Sequence, residues 1–237
     1  MSDRFFTDST FVNDQITLAD DQAHHLINVM RANLGDEVVL FDRRGNEYQT
    51  QIVEVAKKRL TLKRTATARP ERKLGTEITI AAALPKGDRQ KFLIEKMVEL
   101  GVAKFIPLTT PRGVAQVNAK VISRITKQII EATKQCRRSY LMEISEAKTI
   151  AEVLAEHDVK EQQCFIAHPY NAQTNVAVTD NIAGDQSRPR VWLIGPEGGF
   201  SDQEVAQSVA AGWQAISFGD IILRVETAAM VAAVASR

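Results

Sequence analysis

The apolar positions follow two different periods along the chain. In the first part they come in short runs. Residues 37–41 (EVVLF) are an apolar run of β-formers, and residues 42–46 (DRRGN) make a turn in which Gly45 supplies the positive-φ position. Residues 48–55 (YQTQIVEV) and 59–64 (RLTLKR) alternate as half-buried strands do. One stretch, 21–30 (DQAHHLINVM), has a helical period with Leu26, Val29 and Met30 on one face. Short strands with one helix predict a small β-barrel. From residue 77 onward, strands alternate with helices. Strands are predicted at 77–84, 104–108, 164–167, 191–194 and 215–218. Helices are predicted at 88–100, where Phe92, Met97 and Leu100 are core candidates and Gly101 the C′ residue. Further helices follow at 119–137, 149–157, 201–211 and 225–237. Ser201 and Glu204 form a capping box at the fourth. This alternation predicts an α/β domain with a mostly parallel sheet, whose ligands bind beyond the strand C-termini.

Between the regimes, residues 57–73 carry eight basic residues against one acidic, with Pro70 inside and Gly75 just after. The domain boundary is placed here, giving a barrel domain of 1–72 and an α/β domain of 73–237. The charge elsewhere is balanced: 30 Lys+Arg against 29 Asp+Glu in 237 residues, a net +1. That excludes a polybasic wrapper, so nucleic-acid binding must come from local patches. Two cysteines, Cys136 and Cys164, make neither a disulfide framework nor a zinc site. No apolar run reaches membrane-spanning length, and the N-terminus lacks a signal-peptide core, so a cytoplasmic protein without a membrane partner is expected.

The chemistry concentrates in three loops that follow short apolar strands. Residues 192–204 (WLIGPEGGFSDQE) run from a strand through Gly195, Pro196, Glu197, Gly198 and Gly199 into a capped helix. Three glycines and a proline exceed the needs of a turn and suit close approach of backbone to a ligand. The spacing is neither GxGxxG nor a Walker A loop, which disfavours dinucleotides and triphosphates. Residues 217–227 (SFGDIILRVET) repeat the device, with Arg224 and Glu226 at the helix start. Each has an ordinary alternative there: a first-turn acid suits the helix dipole, and Arg224 is then its surface partner. The third loop begins at His168-Pro169. His24, His25 and His157 read as structural. Basic residues beside these elements, Lys86, Arg89, Arg112, Arg137 and Arg138, are either a solvated face or phosphate contacts.

LIGPEGGFSDQE followed by FGDIILRVETAA resembles the C-terminal signature of the ribosomal RNA small subunit methyltransferase E family. KGDRQKFLIEKMVELGVAKFIPL, EATKQCRR and the early RFF are similar to its other landmarks, in the family's order and over nearly the whole chain. The resemblance implies a SPOUT-type α/β domain whose chain end forms a trefoil knot, preceded by a PUA-like β-barrel. It implies a homodimer that methylates N3 of one uridine in 16S ribosomal RNA, free or in the small ribosomal subunit. The methyl donor is S-adenosylmethionine, the product S-adenosylhomocysteine, and no metal is expected. Sequence rules alone would predict an unknotted sheet. Ile221 stands where the family usually has arginine, and a proline usual near Met142 is missing.

On this reading the donor is held by His168 and Pro169, by Leu193, Ile194, Gly195, Pro196, Glu197 and Gly199, and by Phe218, Gly219, Ile222, Leu223, Arg224 and Thr227. Leu193, Phe218, Ile222 and Leu223 are the candidates to enclose the adenine. Arg224 and Glu226 are the catalytic candidates, with Glu197 a second candidate base. Arg4 and Arg31 join the five basic residues named above as RNA contacts. Two rival readings remain: a related SPOUT enzyme acting on another RNA such as transfer RNA, and an RNA-binding or assembly module with an inactive pocket. A nucleotide hydrolase is weaker, because no metal–carboxylate cluster is visible.

Overall fold

The computed structural model describes residues 4–68, 76–113, 117–169 and 187–237. The proposed boundary near residue 72, with Pro70 and Gly75, lies outside the described residues. The chain divides into two compact units.

The first unit comprises Met1–Arg72 together with Thr133–Leu141. Its sheet contains β1 (Arg4–Phe6), β2 (Gln15–Ala19), β3 (Glu37–Phe41), β4 (Glu47–Ala56) and β5 (Arg59–Ala68), ordered β1-β3-β4-β5-β2. β1 runs parallel to β3 and the other pairs are antiparallel. Strict alternation in β2 turns Ile16 and Leu18 inward, onto Leu40, Ile52, Leu60 and Leu62. Gly45 takes φ 81° in the β3–β4 turn. The predicted helix over 21–30 is shorter and changes form. α1 (Asp20–His24) passes into a π-turn, His25–Val29, in which the Met30 N–H donates to the His25 carbonyl at 3.1 Å. The wider turn keeps Leu26 in the core but rotates Val29 outward, where it is 62% exposed.

Arg4, expected to face RNA, is an internal brace of this unit. Its guanidinium is ion-paired with Glu47, donates to the Arg138 carbonyl at 3.3 Å, and lies 4.6 Å from the Phe41 ring centroid. It thereby ties the 133–141 segment to the barrel strands.

The second unit comprises Lys73–Ala132 and Met142–Arg237. Its strands are β6 (Ile78–Ala83), β7 (Lys104–Leu108), β8 (Glu143–Ile144), β9 (Gln163–Ala167), β10 (Arg190–Ile194) and β11 (Gln214–Ile216). They are all parallel, in the order β11-β9-β10-β6-β7-β8. Every residue of β6 and β10 is buried, as expected of central parallel strands covered on both faces. The helices are α2 (Asp88–Glu99), α3 (Ala119–Cys136), α4 (Ile150–Glu156), α5 (Asp202–Ala210) and α6 (Val225–Ala235). Thr149 and Ser201 close capping boxes at α4 and α5. Phe92, expected in the core, lies on the outer face of α2. The buried stripe is Gln90, Leu93, Ile94, Met97 and Val98, and the Phe92 ring instead meets the Lys96 ammonium.

α6 packs against α2, β6 and β10 through Ala228, Ala229, Ala232 and Ala233. Its far end is pinned by β10. The Trp192 indole N–H donates to Ser236 Oγ at 2.8 Å, and buried Arg190 reaches the Ala235 carbonyl at 3.4 Å and Gln163 Oε1 at 2.9 Å. A cation suits the negative end of a helix, and burial holds the Arg190 pKa below its ordinary value.

Candidate functional site

β9, β10 and β11 are register neighbours, with Ala167 opposite both Ile194 and Ile216. Their C-terminal loops therefore emerge side by side. Together with the start of α6 they enclose a cavity of about 180 Å³. Apolar walls come from Ile194, Pro196, Phe200, Phe218, Ile222, Leu223, Val225 and Ala228. Glu197 is the sole acidic side chain lining it among the described residues.

The glycine loop has a fixed form. The Gly199 N–H donates to the Pro196 carbonyl at 2.8 Å, and Gly199 takes φ 67°. Gly195 is confined differently: an added Cβ would lie 3.2 Å from the Phe200 nitrogen and 3.3 Å from the Gly199 carbonyl carbon. Arg112 reaches across to this loop, donating to the Gly198 carbonyl at 2.9 Å and the Phe200 carbonyl at 3.4 Å. In the second loop, β11 ends at Ile216, and Ser217 Oγ bonds both the N–H and the carbonyl of Gly219, at φ 107°. The third loop is tied to its neighbour by the His168 N–H donating to the Ile216 carbonyl at 2.9 Å. Burial lowers the His168 pKa, partly offset by the negative charge of Asp202.

Most of the residues singled out for donor binding line this cavity: His168, Pro169, Ile194, Gly195, Pro196, Glu197, Gly199, Phe218, Gly219, Ile222 and Leu223. Leu193, Arg224 and Thr227 do not. Leu193 is fully buried, packed in the sheet core with Ile166 and Phe200. Strand alternation turns it away from the loop that its neighbour Ile194 enters. Arg224 is the exposed N-cap of α6, with extended backbone and no side-chain cap bond. Sequence reasoning left out of the donor set the lining residues Ala167, Gly198, Phe200, Ile216, Ile221, Val225 and Ala228; all but Ile216 adjoin a residue that was chosen. Glu226 is buried at 6% exposure, and its recorded ion-pair partner is Arg89, not Arg224. Arg89 Nη1 also lies 2.9 Å from Glu197 Oε1.

An RNA methyltransferase domain model matches residues 72–236, and an RNA methyltransferase PUA domain model matches residues 18–63. Ribosomal RNA small subunit methyltransferase E of Rickettsia conorii is 31% identical over 224 residues, covering 93% of this chain and 88% of that protein. The chain belongs to the ribosomal RNA small subunit methyltransferase E family. The Bacillus subtilis methyltransferase E is 28% identical over 223 residues, covering 91% of this chain and 87% of the relative. The methyltransferase E structure from Neisseria gonorrhoeae, bound to S-adenosyl methionine, superposes with a TM-score of 0.86 at 27% identity. It covers 99% of this chain and 96% of that one.

For a methyltransferase E chain, the cations expected to meet RNA are widely distributed. Lys86 is exposed in the loop after β6, and exposed Arg112 braces the glycine loop. In the barrel unit, Arg31 and Arg137 are exposed in left-handed conformations at φ 56° and 57°. Arg138 is half-buried, and burial pushes its pKa down to about 10, opposed by Cys136. Among the described residues no group of three or more His, Cys, Asp or Glu side chains is arranged to hold a metal. No helix there is long and apolar enough to cross a membrane.

Proposed function

We propose that this protein is a methyltransferase that modifies 16S ribosomal RNA of the small subunit at N3 of one uridine, with S-adenosylmethionine as donor. The observation that carries the reading is the cavity itself: three adjacent loops at the ends of β9, β10 and β11, two of them glycine-rich, in a chain of this family. The residues present fit the donor. Positive-φ glycines let backbone groups approach it, Phe218, Ile222 and Leu223 offer apolar walls for the adenine, and Glu197 offers a countercharge for a cation. When bound, S-adenosylmethionine supplies an electrophilic methyl group on its sulfonium.

The chain's own part is to deliver an anionic nucleophile. Uracil N3 carries a proton that must leave, and it lies on the base-pairing edge, so the target base is unpaired or flipped out. Arg224, exposed at the start of α6, donates to a uracil oxygen as negative charge develops. The positive end of α6 favours the same anion. Glu226, in the first turn of that helix, accepts or orients the proton. The barrel unit binds RNA through Arg31, Arg137 and the basic run that continues into 69–73. The reading further includes a cytoplasmic homodimer assembled through α6, whose Val234 is 56% exposed, and the family's knotted chain end.

Mass mapping of 16S ribosomal RNA from a deletion strain, before and after treatment with the purified protein and donor, tests this. One uridine gaining 14 mass units, at a position blocked on its pairing edge, is the expected result. No methylation of either free RNA or isolated small subunits would overturn it.

A further inference from the structure

Arg89 stands in the first turn of α2 and is shared by two carboxylates: its Nη1 lies 2.9 Å from Glu197 Oε1 and 4.0 Å from Glu226 Oε2. The two acids offer different environments. The Glu197 side chain is 39% exposed, on the cavity wall. The Glu226 side chain is 8% exposed on α6, and its Oε2 has no hydrogen-bond partner among the described residues. A buried carboxylate oxygen without a donor is costly, yet the guanidinium able to serve it is drawn toward the more exposed acid. Two acids around one base leave this cluster with a charge of −1, which disfavours an RNA phostphate as the ligand of Arg89.

The next step rests on the cavity being the methyl-donor site. The donor carries a sulfonium and an α-ammonium, and Glu197 is the acid these cations meet in the cavity. A donor cation and Arg89 compete for the same carboxylate. We propose that Arg89 is a shuttle: it neutralises Glu197 while the cavity is empty and passes to Glu226 as the donor engages Glu197. The exchange leaves both carboxylates served and satisfies the buried oxygen. It also tightens the link between the first turns of α2 and α6, 4.0 Å long in this structure, as donor binds. Arg89 thereby acts as a positioning residue for the start of α6.

Calorimetry with S-adenosylmethionine on the full chain tests the shuttle, with melting temperatures confirming that each variant is folded. Removing a competing exposed ion pair is worth roughly a two- to fivefold change in affinity. R89M should therefore bind donor tighter by about that factor, and in the E197Q background R89M should change nothing. E226Q removes the second partner of Arg89 and should loosen donor binding by a similar factor, but not in the R89M background. If E226Q fails to fold, the R89M and E197Q pair decides alone. R89M binding that is unchanged or weaker overturns the shuttle, as does the same tightening in E197Q. Failure of the wild-type protein to bind donor would instead overturn the donor-site reading beneath it.

Discussion

Alanine at Gly195 separates a cavity wall from an ordinary turn. The added Cβ would sit 3.2 Å from the Phe200 nitrogen and 3.3 Å from both the Gly199 carbonyl carbon and Phe200 Cδ2. Two of these neighbours are backbone, so the loop itself must shift, at the roughly 1–3 kcal/mol typical of overpacking. The open direction for that shift is the cavity. Ligand binding must then push the loop back, and donor affinity falls by up to the relieved strain, about five- to 150-fold. Gly35, in the barrel unit and not among the residues lining the cavity, provides the control. Nothing lies within 4 Å of a Cβ there, but φ is 92°. Gly35→Ala should cost about 1–2 kcal/mol of backbone strain, and Gly35→Asn less, because asparagine tolerates this region. At about 2–4 °C per kcal/mol, both sites lower the melting temperature by similar amounts. Calorimetry with S-adenosylmethionine distinguishes them: Gly195→Ala loses donor, and Gly35→Asn keeps it within about threefold. Wild-type affinity in a folded but destabilised Gly195→Ala would refute the placement of the donor against this loop.

Arg112→Ala removes the brace on the Gly198 and Phe200 carbonyls; it should weaken donor binding about fivefold, for ~1 kcal/mol, even without RNA present. Arg4→Ala strands Glu47, whose side chain is 13% exposed, and should destabilise the protein by about 3 kcal/mol in a urea titration. Arg224→Ala should lower single-turnover methylation by ~10²–10³ with little change in donor affinity; parallel loss of melting temperature and rate would reduce Arg224 to a structural cap. Burial pushes the Cys164 thiol up to about 11 from 9.0. The folded state thus keeps a proton that the unfolded chain releases, and stability from this group is full below pH 9 and lost as pH approaches 11. A thiol reagent at pH 8 should label half-buried Cys136 first and reach Cys164 only on unfolding.

The parallel sheet was legible because its signals are local. β6 and β10 are apolar but for Thr79 and Arg190, and the loops at 195–199 and 217–219 carry glycines where the backbone must turn. β2 was missed despite its alternating QITLA, since five residues before a helix resemble a lead-in. The π-turn at His25–Val29 left no mark in the pattern, because it changes the register of hydrogen bonds and not the residue types. Long side chains were the least legible part of the site. Arg4, Arg89 and Arg112 all look like solvated cations in sequence. Their partners Glu47, Glu197 and Gly198 lie 43, 108 and 86 positions away, and only the fold brings them together.

The barrel unit is assembled from two stretches of chain, one at the start and one in the middle. Arg4 reaching the Arg138 carbonyl, and the Tyr140 ring lying against Gly45 where no Cβ would fit, fasten them. Such a unit cannot be inherited or transplanted as a cassette. A gene fusion carrying only residues 1–72 would deliver strands without their clasp, and a deletion of the same residues would leave 133–141 with its apolar and backbone partners gone. Conversely, a single protease cut between the two stretches should yield fragments that still co-migrate under native conditions. The chain passes through this unit, leaves, and returns, so selection on either stretch acts on both.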